Sequence, residues 1–404
     1  MIRTLLFDLD NTLLDNEMST FIPEFMRLYT NHVAAVTSPE RFASELLVGT
    51  RAMADNTDPA RTLEEVFSSV FFPALGLSAE TFRANIDDFY AGPYRALEAV
   101  VGRRPIAREV MEWAFSSGFE VVIATNPLFP LAALQQRLAW AGVEDYPYTL
   151  VTSPERMHFA KPNPAYFAEV LGLVGRRADQ ALVIGNDWRN DIHAAHQAGI
   201  AAFWIASRST KPPEPSPGLV GQGDLGDFLA WARDDDCIQR VISLPVTPTA
   251  LKAHLLAMPA VASAAVAGVN ADQWRERPDP AAWSLVEILC HLRDSEREVN
   301  LKRVERFLSE DTPFISAENP DAWAEERDYR NEDGEAALAA YRTARQQTLA
   351  RLGELAPADW DRRARHAIFG PTTLSEIVSI WIDHDRVHMA QLRDTRASVA
   401  PWPG

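Results

Sequence analysis

Apolar and polar positions change their rhythm partway along this 404-residue chain. In the first half, short apolar runs alternate with stretches of helical periodicity. The runs at 4–8, 120–125, 149–152, 182–185 and 201–205 read as strands, with helical spacers between them. That alternation predicts an α/β fold built on a parallel, doubly wound sheet. Residues 17–100 carry helical patterning and aromatic side chains but no convincing strand, so a helical cap inserted after the first strand is expected. Residues 211–218, Lys-Pro-Pro-Glu-Pro-Ser-Pro-Gly, form a breaker-rich loop. A last short helix over 226–233 closes this half, followed by Asp234, Asp235 and Asp236.

From about residue 244 the composition turns to Ala, Arg, Glu and Trp, and strand signals vanish. Helices are predicted at 249–258, 259–269, 284–309, 334–353 and 373–394. The first two are separated because Pro259 can open a helix but is poor inside one. Ser284-Leu-Val-Glu287 and Thr373-Leu-Ser-Glu376 have the form of capping boxes. An all-α, up-down four-helix bundle is the expected architecture. The chain therefore reads as two domains, 1–236 and 237–404.

The formal charge of −17 opposes a nucleic-acid partner. No run approaches the roughly eighteen apolar residues of a membrane span. One Arg followed by a strand containing Asp is no signal peptide. Cys237 and Cys290 offer no disulfide framework, which points to the reducing cytoplasm.

The chemistry begins at the end of the first strand. Leu5-Leu-Phe7 delivers Asp8 and Asp10, and side chains two apart on a strand share a face. Two carboxylates so placed repel unless a cation joins them or one keeps its proton. Three more motifs lie where an α/β sheet binds ligands, at the carboxyl ends of its strands. Val121-Val-Ile-Ala-Thr-Asn126 ends in a hydroxyl and an amide. Lys161-Pro-Asn-Pro164 sets a cation just before a helix. Leu182-Val-Ile-Gly-Asn-Asp-Trp-Arg-Asn-Asp191 ends in an acidic loop. In order, the four stretches resemble the motifs of the haloacid-dehalogenase-like hydrolase superfamily, over about residues 1–236.

The resemblance implies a phosphatase acting on a small phosphorylated metabolite. Asp8 would be the nucleophile that forms an aspartyl-phosphate, and Asp10 the general acid and base. Thr125 and the backbone of Asn126 would hold the phosphoryl oxygens, and Lys161 would neutralise them. Mg²⁺ would be held by Asp8, the Asp10 carbonyl and Asp187, with Asp191 supporting Lys161 or a metal-bound water. Here Asn186 intervenes between the motif glycine and the first acid, which leaves the division of labour between Asp187 and Asp191 open. Dehalogenating relatives lack the second acid, and phosphonate-cleaving ones use a cap lysine, whereas no lysine precedes Lys161. A phosphomutase differs only in cap contacts. Specificity would lie in cap side chains such as Arg51, Arg83 or Arg95.

His384-Asp-Arg-Val-His388 stacks two imidazoles at i and i+4 on one helix face. His291 lies seven residues beyond the Ser284 cap on another predicted helix, so the three can meet on one ion and leave positions open. Trp283-Ser-Leu-Val-Glu-Ile-Leu-Cys-His-Leu, with His384-x-x-x-His388 downstream, resembles the DinB/YfiT-like superfamily over about residues 245–404. That resemblance implies a Zn²⁺ or Ni²⁺ site on these histidines and, for some members, reactions with a low-molecular-weight thiol. Cys290 sits about 100° round the helix from His291 and reads as core; His254 and His366 have no companions at ligand spacing. An alternative makes the bundle the main active module, a metal-dependent thiol transferase or hydrolase, with the first domain auxiliary. A third makes it a binding or dimerising module, as in a homodimer, that retains metal for stability.

Overall fold

The computed structural model describes residues 1–399. They form two compact units, Met1–Leu244 and Pro245 onward; the expected boundary is 236/237, after Asp234, Asp235 and Asp236, whereas the change of composition near residue 244 coincides with the observed one.

The first unit is built on six parallel strands: β1 (Thr4–Phe7), β2 (Glu120–Ile123), β3 (Leu150–Val151), β4 (Ala181–Gly185), β5 (Ala201–Ile205) and β6 (Leu219–Gly223). Their order is β3-β2-β1-β4-β5-β6. Thr4 pairs with Glu120 on one side and Ala181 on the other, and Phe7 with Ile123 and Ile184. Leu5, Leu6 and Phe7 are fully buried, which explains their unbroken apolar run. Because the strand order reverses beside β1, a crevice opens at the carboxyl ends of β1, β2 and β4. Asp8, Thr125 and Asp187 all follow those ends.

β6 was not expected. Its sequence, Leu-Val-Gly-Gln-Gly, is half-buried at the sheet edge and lacks an apolar run. Gly221 is required there, because a Cβ would lie 2.5 Å from the Phe203 ring. A short ribbon, Leu14–Asp15 paired with Gly102–Arg103, joins the core to the inserted cap. The cap holds α1 (Met18–Val33), α2 (Pro39–Ala54), α3 (Leu63–Leu75) and α4 (Ala79–Ala91), then a 3₁₀ segment, Pro93–Val100. Phe21, Phe25, Tyr29, Phe42, Phe89 and Tyr94 are buried there in edge-to-face and stacked contacts, so the aromatic patterning of this stretch is its core.

The second unit is a four-helix bundle of α5 (Pro248–Val266), α6 (Leu285–Asp294), α7 (Gly334–Gly353) and α8 (Leu374–Val399). α6 runs on through a wide π-helical turn, Ser295–Asn300, into Leu301–Ser309. Three sequence-based expectations change. First, the helices do not follow a simple up-down ring: α5 packs on α7 and α8, and α6 on the same two, so α5 and α6 sit diagonally. The long connections at 267–284 and 310–333 permit this crossing. Second, the bundle domain carries a small sheet of Phe314–Ile315, Arg363–His366 and Gly370–Thr373, whose strands are too short to show a period. Third, α5 is long and apolar enough to cross a membrane by length and composition, with a mean hydropathy of 1.3. Most of it is buried in the bundle, as a core helix would be.

α5 also passes straight through Pro259. Proline has no N–H for the carbonyl four residues back, here Leu255. The Arg345 guanidinium donates to that carbonyl at 3.2 Å, so the orphaned acceptor is satisfied from α7. Arg345 is itself buried between Glu296 and Asp385, at 2.9 and 2.8 Å. Arg345→Met would strand two buried carboxylates and should destabilise the bundle by about 3–5 kcal/mol. Hydrogen exchange at α7 amides of the full chain measures this; unchanged protection would contradict the pairing.

Candidate functional site

Each polar side chain of the first site is set at a strand end by its apolar strand. Asp8 follows β1, and its N–H donates to Ile184 O at 2.9 Å, which ties it to β4. Lys161, 3% exposed, donates through Nζ to Asp8 Oδ1 at 2.9 Å and Asp191 Oδ1 at 2.6 Å. The Thr12 hydroxyl donates to Asp8 Oδ2 at 3.1 Å. Burial, helped by Asp191, pushes the Asp8 carboxyl up to about 7, against the pull of Lys161. Burial also works against the Lys161 ammonium, but Asp191 and Asp8 outweigh it and hold it above the usual lysine range.

Asp191 reaches Lys161 only because position 185 has no side chain: a Cβ on Gly185 would lie 2.4 Å from the Asp191 carboxyl. Its other oxygen accepts the Asp187 N–H at 2.9 Å. Asp187 Oδ1 caps the following helix through Asn190 N at 2.8 Å, and the residue is exposed. The two acids thus differ in occupation: both oxygens of Asp191 have partners, whereas Asp187 faces solvent. Asn126 pins the Lys161 loop by accepting the Lys161 N–H at 3.1 Å. The Thr125 carbonyl accepts from Thr152 and Tyr166, both at 2.8 Å. Asp8, Asp10, Thr125, Asn126, Lys161, Asp187 and Asp191 all line one cavity of about 1080 Å³ between core and cap.

Asp10 is held by residues that no motif marked. Asn16 Nδ2 donates to its Oδ1 at 2.6 Å, and Arg137 Nη1 to its Oδ2 at 2.8 Å. Arg137 is 1% exposed, also donates to the Tyr94 hydroxyl at 2.9 Å, and stacks over Phe129 and Phe21. One signal was present: Arg137 takes a stripe position among Ala133, Leu134, Leu138 and Ala141, where an apolar residue is expected. Of the cap arginines, Arg83 and Arg95 line the cavity, whereas Arg51 is exposed and pairs with Asp55.

In the bundle, His291 on α6 meets His384 and His388 on α8. Both His291 Nε2 and His388 Nε2 lie 3.1 Å from His384 Nε2. One nitrogen of each lies within 4.8 Å of the others, the one such cluster of three metal-ligating residues among those described. Burial, reinforced by the neighbouring imidazoles, lowers His291 to about 3 and His388 to about 4. Both are therefore neutral, the form that ligates metal. His388 Nδ1 is 2.7 Å from Gln391 Oε1, a contact that orients Nε2 toward its partners. Trp283 stacks on His388. His384 keeps a third of its side chain exposed, so the cluster opens to solvent on one side. Burial pushes the Cys290 thiol up to about 12, as a packing role requires. His254 and His366 lie outside the cluster; His366 instead accepts the Ile368 N–H at 3.1 Å.

Comparison with known proteins matches both halves. Residues 2–199 match the family model of haloacid dehalogenase-like hydrolases, and residues 254–392 that of the DinB superfamily. A phosphoserine phosphatase of Thermus thermophilus is 29% identical over 172 residues, 35% of this chain and 67% of the relative. A phosphoglycolate phosphatase of Pectobacterium atrosepticum is 36% identical over 92 residues, 23% of this chain and 38% of the relative. This chain thus spans less than half the length of the second relative. Among solved structures, YfiT from Bacillus subtilis, a probable metal-dependent hydrolase with an unusual four-helix bundle topology, shares 23% identity. It aligns with 37% of this chain and 85% of its own, at a TM-score of 0.34. The chain is a fusion of a haloacid dehalogenase-like hydrolase domain with a DinB-superfamily domain.

Proposed function

We propose that the first domain is a Mg²⁺-dependent phosphatase that works through an aspartyl-phosphate on Asp8. The observation that carries this reading is the buried Lys161 between Asp8 and Asp191, beside an Asp10 that Arg137 and Asn16 hold in place. Asp8 attacks phosphorus and Asp10 gives its proton to the departing alkoxide. Asp10 then takes a proton from the water that attacks the phosphoryl group, and Asp8 is released. Thr125 and Asn126 bind the phosphoryl oxygens, and Lys161 balances their charge.

The donor set fits a hard cation. Asp8, Asp10, Asp187 and Asp191 line the same cavity and offer oxygen atoms alone, against the cations Lys161 and Arg137. Asp8, the Asp10 carbonyl and the solvent-facing Asp187 would hold Mg²⁺, with Asp191, bonded to the Lys161 ammonium and the Asp187 N–H, supporting them. Bound there, Mg²⁺ would supply charge neutralisation for nucleophile and phosphoryl group.

A second reading rests on the three histidines. Three nitrogen ligands with an open side suit a borderline ion such as Zn²⁺ or Ni²⁺ in a catalytic site. In that reading the bundle is a metal-dependent thiol transferase or hydrolase, and the first domain is auxiliary.

With Mg²⁺ and a panel of phosphate esters, Asp8→Asn should abolish turnover and leave circular dichroism unchanged. Undiminished hydrolysis by that variant would remove the proposed mechanism. Arg137→Met should lower kcat by about 10²-fold or more with little change in KM, since it loosens the acid–base group and not the ester site. An equal rise in KM would instead make Arg137 a binding residue. For the bundle, the purified full chain should carry about one equivalent of Zn²⁺ or Ni²⁺, because three imidazoles converge on one point. Metal analysis should show it lost in His388→Ala and kept in His254→Ala; retention by the former would refute the site.

A further inference from the structure

The cavity above Asp8 is large for the chemistry beneath it. Pockets for small ligands span roughly 300–1000 Å³, and this one is about 1080 Å³. A leaving group of two or three carbons would leave most of it to water.

Its wall is apolar and incompletely packed. Ile22, Met26, Leu46, Phe67, Ile86 and Phe129 are only partly buried against the core of the domain, and all six line the cavity. Leu47, 61% exposed, lies at the same wall. Apolar surface gathered in a cleft, and not scattered over the outside, marks a place where a ligand is covered.

The charges lining the cavity away from Lys161 point the same way. Glu17, Glu64 and Asp87 on the cap and Glu155 on a core loop stand against Arg83 and Arg95. Arg83 already lies 3.3 Å from Glu64. A second anionic group on the substrate, such as a carboxylate, would meet more carboxylates than guanidiniums once its phosphate was seated on Lys161. Like charges brought together in a cleft are costly.

We propose that the ester taken by this domain carries a bulky, apolar and otherwise uncharged alcohol, and not a small carboxylated one. This rests on the phosphatase reading above. The cap would cover the apolar group with the part-open side chains of α1, α2 and α3, and Asp8 would attack the phosphate at its end.

The test compares three alkyl esters, so that leaving-group chemistry is matched: 4-phenylbutyl phosphate, ethyl phosphate and phosphoglycolate, with the full chain and Mg²⁺. The expected kcat/KM for 4-phenylbutyl phosphate exceeds both others by at least about tenfold, the scale of a few well-packed methylenes. Leu46→Asn and Phe67→Asn should each shrink the ratio of 4-phenylbutyl to ethyl phosphate. Phosphoglycolate or ethyl phosphate turned over as well as the phenylbutyl ester would overturn this inference and leave the phosphatase reading standing. Hydrolysis of none of the three would overturn that reading as well.

Discussion

Carboxylate crowding around one buried lysine is the constraint on which the first domain depends. Asp8 and Asp191 approach the same Lys161 ammonium, and each pays a desolvation cost that the ion pairs offset. Much of the local structure serves that contact. The bare Cα of Gly185 makes room for Asp191, Asn126 fixes the backbone of Lys161, and Thr12 occupies the second oxygen of Asp8. The strand order brings these groups together at one crevice. The cap then covers that crevice with side chains that are mostly apolar.

The second domain answers a related problem in a different way. His291 and His388 each face His384 at hydrogen-bond distance, and burial keeps those two neutral. Asp385, next to His384 in sequence, is turned inward onto Arg345. That same guanidinium serves Glu296 and the carbonyl freed by Pro259. A proline that would ordinarily end α5 is thus tolerated because a side chain of α7 replaces the missing donor.

Much of this was legible in the residues, because the relevant signals are local. An apolar strand followed by an acid, an amide or a glycine shows both the strand and its functional end, so β1, β2 and β4 could be placed with their side chains. The i and i+4 spacing of His384 and His388 exposes a two-ligand face in the same way. What could not be read depends on distant partners. β6 has two glycines and a glutamine and becomes a strand only beside β5. Arg137 is 127 positions from Asp10 in sequence, so its place in an apolar helical stripe marks it as buried but does not show its partner. The diagonal placement of α5 and α6 follows from the paths of long connections, which carry no periodic signal.

If Asp8 is the nucleophile, the phosphoryl group passes through its carboxylate. The most direct measurement is acid-quenched mass spectrometry of the full chain during turnover of a phosphate ester with Mg²⁺, followed by peptide mapping. The expected result is a phosphoryl group on the peptide that contains Asp8, at higher occupancy in Asp10→Asn, where water activation fails before phosphorylation does. Sustained hydrolysis with no phosphoryl group on that peptide in either protein would contradict it.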